Sequence, residues 1–284
     1  MFGDCHIHMI LDGVYYRAAI DHQKTGPDES LIRSRLENYV NCGVTYLRDG
    51  GDAWSVGLRA SQLAGEYGIT YRTPVANLCR KGHYGCFIGW GYEDLAEYRA
   101  QVRKIKEMGG HFIKIMVSGL MDFDRFGVIT DTPCSYELCK DLISVAHDEG
   151  FAVMAHANGV EAVSNALKAG VDSIEHGAYL NEEVLCQLAE TGAVWVPTTV
   201  TIGNLIGLGR FPDEVLKPLL ELHQRNIAYA AKVGGKIALG TDAGAYAVYH
   251  ASSVEQEYKL LRQCLGVDTD RILQQGEDEI RRRF

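Results

Sequence analysis

The chain has 284 residues, 46% of them apolar and 23% charged, with 31 glycines and a formal net charge of −9. This is ordinary composition for a folded chain with a sizeable core, and its acidic balance excludes nucleic acid or an anionic membrane surface as the main partner. The first residues show no basic-then-apolar leader, and no charge-free stretch reaches spanning length, so the expected setting is the cytoplasm, away from any membrane, with a small molecule as partner.

The first predicted element is the strand Phe2-Gly3-Asp4-Cys5-His6-Ile7-His8-Met9-Ile10. Alternation along a strand puts His6 and His8 on one face. On the residues alone two arrangements stay open. One is half of a divalent-metal site, since imidazole suits zinc, iron, nickel and copper. The other is a pair of buried, hydrogen-bonded histidines.

From there the chain repeats one unit: an amphipathic segment, a glycine, then a short apolar strand. Gly43 leads into Val44–Leu47, Gly68 into Ile69–Tyr71, Gly110 into Phe112–Val117, and Gly150 into Phe151–Ala155. Gly170 then leads into Val171–Ile174, Gly192 into Ala193–Val196, and Gly235 into Lys236–Leu239. Glycine just past a helix is the usual left-handed terminator, so each marks the foot of the next strand. Segments such as Leu95, Tyr98, Val102, Ile105 and Leu138, Leu142, Val145 carry helical spacing and read as covering helices. An eighth helix is expected over about Ser252 to Leu265, and the closing Arg281-Arg282-Arg283 reads as a solvated chain end.

Eight strands, each followed by a helix, predict a (β/α)8 TIM barrel built as a single domain over residues 1–284. A doubly wound open sheet is the structural alternative. The glycine-rich segment Gly203 to Gly209, however, lacks the Lys-Ser/Thr ending of a phosphate loop. The eight scattered cysteines form no Cys-x-x-Cys pair and read as reduced thiols.

Catalytic residues of a barrel collect at the C-terminal ends of its strands. Strand one ends near His6 and His8, strand four carries Lys114, strand five ends in His156, strand six in Glu175-His176, and strand eight in Thr241-Asp242. The strings Phe112-Ile113-Lys114-Ile115-Met116-Val117-Ser118-Gly119, Ala155-His156-Ala157-Asn158-Gly159, Ser173-Ile174-Glu175-His176-Gly177 and Leu239-Gly240-Thr241-Asp242-Ala243-Gly244 closely resemble the amidohydrolase superfamily. Within it, the chain looks most like the imidazolonepropionase-related and prolidase-type Xaa-amino-acid dipeptidases and their amide- and carbamate-cleaving relatives.

That resemblance implies a centre of two divalent metal ions, with zinc expected. It assigns His6, His8 and Asp242 to one ion and His156 and His176 to the other, bridged by Lys114 carboxylated to a carbamate. Two ions can hold a bridging hydroxide, lower its pKa and polarise the carbonyl it attacks. Asp242 then carries the proton to the departing amine. Arg80-Lys81-Gly82-His83-Tyr84-Gly85 resembles the family's Gly-Gly-His-Gly loop, which gives His83 a catalytic, substrate-contacting role; a lysine and an inserted Tyr84 depart from the pattern.

His250 resembles a family loop histidine at the substrate, and Tyr84 and Tyr179 are further substrate-contact candidates. Arg80, Lys81, Tyr84, Tyr179 and Arg210 could each meet a substrate carboxylate, and the pair Arg48-Asp49 is expected as a salt bridge propping the mouth. Relatives usually add a β-sandwich from both chain ends; here strand one begins at residue two and the chain stops near the end of the last helix, so the expectation is either a barrel without that sandwich or an incomplete chain, its exposed surface favouring a homo-oligomer. The expected activity is hydrolysis of a C–N bond in a dipeptide or N-acyl amino acid. The alternatives are a lactonase- or phosphotriesterase-like ester hydrolase, a mononuclear deaminase, or a barrel that binds a ligand without turnover.

Overall fold

The computed structural model describes residues 2–284. Strands β1 (Asp4–Ile7), β2 (Tyr46–Asp49) and β3 (Thr70–Arg72) form one parallel run. A second run comprises β4 (Asn77–Arg80), β5 (Trp90–Tyr92), β6 (Ile113–Met116), β7 (Val153–Ala157), β8 (Ser173–His176), β9 (Val194–Val196) and β10 (Lys236–Ile237), in the order β10-β9-β8-β7-β6-β4-β5.

The two runs meet on both sides. On one, the Cys5 amide donates to Leu239 O at 2.9 Å and the Asp242 amide to His6 O at 2.7 Å, bringing β1 against the chain that follows β10. On the other, β3 and β4 are halves of a single barrel strand: β3 pairs with β2, and β4 pairs with β6. The break has a chemical cause. Pro74 has no N–H to donate, and Val75 beyond it turns to φ +65°, its amide donating to Thr73 Oγ1 at 3.1 Å. With the two halves taken as one, and β5 paired only on the outer side of β4, the parallel strands trace the expected (β/α)8 barrel.

The helices cover it much as the periodicity predicts. Helix Leu95–Glu107 buries Tyr98, Val102 and Ile105 and is capped by Asp94, whose carboxylate accepts from the Glu97 amide at 2.8 Å. Helix Tyr136–Asp148 buries Leu142 and Val145 together with Cys139, Ile143 and Ala146, while Leu138 is only half-buried. The junction glycines Gly150 and Gly170 both sit at φ +88°, where a side chain would be strained.

At the barrel's foot, His147 Nε2 lies 2.9 Å from Asp172 Oδ2, and this pairing raises the imidazole above its ordinary pKa. A raised histidine contributes stability that is complete below its unfolded pKa and lost as pH rises through the folded one. The His147 side chain is 40% exposed. Solvent screening therefore keeps the expected loss in His147→Ala to about 1–3 °C in Tm at about pH 5.5, vanishing by about pH 9. Scanning calorimetry at both values checks this; equal losses would refute it.

The chain end departs from expectation. Helix Thr269–Arg283 lies across the foot of the barrel and buries Leu273, Gly276 and Ile280. A Cβ on Gly276 would lie 1.9 Å from Ile237 O, so only glycine permits this approach. Ile280 and Phe284 join Cys5, Tyr46, Phe112 and Met154 in one apolar cluster. The closing arginines are solvated only in part: Arg282 is 68% exposed as expected, whereas Arg281 lies 4.2 Å over the Tyr46 ring, and Arg283, 19% exposed, donates to Gly192 O and pairs with Glu279. Among the described residues, no helix is long and apolar enough to cross a membrane.

Candidate active site

His6 and His8 both turn to the barrel mouth, their ring centroids 5.4 Å apart. His6 Nδ1 lies 2.8 Å from Glu175 Oε2, both side chains fully buried. With Glu175 ionised, this contact holds the proton on Nδ1 and leaves the Nε2 lone pair facing the mouth. His6 Nε2 is 3.5 Å, and His8 Nε2 3.4 Å, from the same Asp242 Oδ1. The His8 ring has room because residue 50 is glycine; a Cβ there would meet the ring at 2.3 Å. His176, at the end of β8, and Asp242, five residues past β10, both have left-handed backbones, φ +67° and +61°. Such strain persists only where the surroundings over-determine it, and the Asp242 amide bond to His6 O is one such restraint.

The other ligand candidates stand around the same floor. His156 and His176 have ring centroids 4.6 Å apart, and His176 and His6 5.0 Å. Each is already held by one nitrogen: His176 Nδ1 is 2.8 Å from Thr198 Oγ1, and His156 Nε2 3.0 Å from Gly119 O. Lys114 on β6 is buried, and its Nζ has no hydrogen-bond partner. Burial pushes the amine down to about 8, against the pull of the Glu175 and Asp242 carboxylates. Burial likewise pushes Asp242 up to about 8, with Lys114 opposing. All four imidazoles are held well below their ordinary pKa, first by burial, His8 and His156 at about 3.

These donors fit a divalent ion. His6, His8 and Asp242 each offer one atom, all within 4.8 Å of one another. His6 Nε2 and Lys114 Nζ are buried without a partner, a costly state unless something charged or coordinating completes them. Among the described residues, His156 and His176 lie beside this cluster without forming a second one of three donors.

Above the floor lies a cavity of about 470 Å³. One wall is a ladder of rings: Tyr16 to Phe87 at 5.4 Å, Phe87 to Tyr84 at 5.9 Å, and Tyr84 to the floor ligand candidate His156 at 4.7 Å. The lining also includes Phe123 and Phe211, with centroids 5.3 Å apart, and Tyr246, over which the Arg210 guanidinium lies at 4.0 Å.

Of the candidates for substrate contact, only Tyr84 and Arg210 line this cavity. His83, one residue earlier, points away; its Nδ1 is 2.9 Å from Asp131 Oδ1, while the Tyr84 amide donates to Asp131 Oδ2, so the same carboxylate fixes both orientations. His250 is a strut, between Leu11 O at 2.9 Å and Tyr39 Oη at 3.2 Å. Tyr179 packs edge-on against Phe126 beside the cavity. Arg80 donates to Thr132 O, and Lys81 pairs with Glu93 and Glu97.

Arg48 and Asp49 do not pair with each other, since successive strand residues face opposite sides. Arg48 donates to Glu175 Oε1, Ser173 Oγ and Cys5 O, whereas Asp49 accepts from the Met9 and Gly51 amides. Glu175 is the residue that sequence reasoning left without a role. A carboxylate inside a buried parallel strand, in need of a cation, was the available signal.

Residues 59–274 match the Amidohydrolase family. The ochratoxinase of Aspergillus niger is 30% identical over 279 residues, covering 84% of this chain, which spans 56% of that relative's length. Among solved structures, a Xaa-Pro dipeptidase with bound methionine superposes with a TM-score of 0.76 at 22% identity, over 99% of this chain and 75% of that one. A prolidase complexed with N-methylphosphonate-L-proline gives 0.77 at 24% identity, over 98% and 73%.

Proposed function

The chain belongs to the amidohydrolase family, and on that premise we infer that it is a divalent-metal-dependent hydrolase of the C–N bond in a small amide such as a dipeptide or N-acyl amino acid. The observation that carries this reading is the cluster of His6, His8 and Asp242, three donors within 4.8 Å of one another at the floor of a cavity. His6, His8 and Asp242 would hold one ion, and His156 and His176, with carboxylated Lys114 between, a second. Zinc suits this nitrogen and oxygen set. When bound, such ions polarise a carbonyl oxygen and acidify water.

The chain's own residues do the rest. Glu175 keeps His6 in the tautomer that presents Nε2. Asp242 takes a proton from water and delivers it to the amine nitrogen, without which an amine leaves poorly. The lowered pKa of Lys114 enlarges the share of neutral amine, the form that combines with carbon dioxide to give a carbamate and a proton. The rings of the ladder keep bulk water from the floor.

Metal analysis of the purified chain, beside a screen of dipeptides and N-acyl amino acids, tests the reading. Lys114→Ala is expected to lower bound metal per chain and to reduce turnover by roughly 10²-fold or more, with partial recovery on adding a short carboxylic acid. Undiminished metal content in that variant would overturn the carbamate.

A further inference from the structure

We propose that Cys79 and Cys86 form a reversible modification site: a small-molecule disulfide oxidises the two thiols to a Cys79–Cys86 bond, which fastens the segment that carries Tyr84 into the cavity. This goes beyond the hydrolase reading and does not depend on it.

Three observations carry it. First, the two sulfurs converge on one spot. Cys79 lies on β4 opposite Gly91 of β5, and its thiol donates to the carbonyl of the adjoining Trp90 at 3.5 Å. Cys86 comes from the loop between these strands; its thiol donates to Arg80 O at 3.0 Å, and its Sγ lies 3.5 Å from where a Cβ on Gly91 would stand. The sulfurs are thus neighbours within bonding reach, while both remain thiols in the structure. Second, access is unequal. Cys86 is half-buried and Cys79 fully buried, which suits exchange with a disulfide: one thiol meets the reagent and a second beside it completes the bond. Cys134 and Cys139, five residues apart, are both buried and offer no such entry. Third, the bond would span Arg80 to Gly85. Within that span Tyr84 lines the cavity, its ring 4.7 Å from that of His156. Gly82 and Gly85, at φ +80° and +98°, flank His83 and Tyr84, and glycine gives a segment more open conformations to lose than any other residue. Asp131 holds the segment from outside through the His83 ring and the Tyr84 amide; a Cys79–Cys86 bond would tie its two ends to each other.

The chemistry is thiol–disulfide exchange. Cys86, as its thiolate, attacks one sulfur of the reagent, forming a mixed disulfide and expelling one thiolate. Cys79 then attacks the Cys86 sulfur and expels the second. The two protein thiols lose two electrons and two protons, and the halves of the reagent take them up and leave as two thiols. Excess thiol runs the sequence backwards.

The test equilibrates the full, folded chain with oxidised glutathione, blocks the remaining thiols by alkylation and digests with trypsin. Cleavage after Arg80 and Lys81 makes the product legible, because the bond would join residues 73–80 to residues 82–99 in one species that dithiothreitol separates. Cys86→Ser should abolish that species and leave Cys79 free of glutathione. Cys79→Ala should instead trap glutathione on Cys86. Amide hydrogen exchange over residues 82–85 should slow by at least about tenfold in the oxidised chain, since the bond removes open conformations of the segment it closes. Absence of the joined species, or a bond between Cys134 and Cys139 in its place, would overturn the site. Equal exchange in the oxidised and reduced chains would overturn the fastening of the loop.

Discussion

Asp242→Asn is expected to lower kcat for a cleaved amide by about 10²–10⁴-fold, the range a positioned acid–base group contributes, while the fold and most of the bound metal persist. The substitution is clean for a structural reason. Residue 242 sits at φ +61°, and asparagine is among the few side chains that accept the left-handed region, so the backbone is not a confounder. The amide oxygen can still stand where Oδ1 stands, between His6 Nε2 and His8 Nε2. What the variant loses is the ability to pick up and release a proton. Burial pushes the native carboxyl up to about 8, with Lys114 opposing, and a bound ion would favour its ionised form. Steady-state kinetics with metal analysis of the same preparation decide the matter, and full kcat in Asp242→Asn would remove Asp242 from the mechanism.

Arg48→Leu is expected to destabilise the barrel by about 3–5 kcal/mol, the cost of stranding one partner of a buried ion pair, with Tm falling by on the order of 10 °C. Both Arg48 and Glu175 are fully buried, with NH2 to Oε1 at 2.8 Å. The guanidinium also donates to Cys5 O at 2.7 Å and Ser173 Oγ at 2.9 Å, tying β2 to β1 and β8 through the barrel interior. Leucine would leave Glu175 with only His6 Nδ1 and the Ser173 hydroxyl. Denaturant titration measures the loss; a change below about 1 kcal/mol, the scale of an exposed pair, would show that the buried pair has little net value.

The barrel rhythm was legible because it is local. A glycine past each helix and an apolar run after it are readable within ten residues, and the six candidates come to one mouth from strands in a readable order: His6 and His156 in the upper part of theirs, His176 at the end, His8 and Asp242 beyond the end, and Lys114 within β6. Loops carry no such period. Whether His83 or Tyr84 faces the cavity is decided by Asp131, 48 residues away from His83, and Arg48 finds Glu175 across 127 residues of sequence. The third strand could have been read as broken, since Pro74 was in plain sight. The last helix was hidden by its own polarity: its buried stripe of Leu273, Gly276 and Ile280 is narrow beside its charged face.

That helix gives the cavity its direction. Phe284 lies 4.5 Å beneath the Arg48 guanidinium, Arg48 bonds Glu175, and Glu175 bonds His6. Among the described residues, Phe284, Arg48 and Glu175 thus fill the barrel interior from foot to floor along this line. On the proposed hydrolysis, two fragments made at the floor would depart through the mouth in turn. The fragment nearer the opening would then go first, and the one left behind would compete with the next arrival.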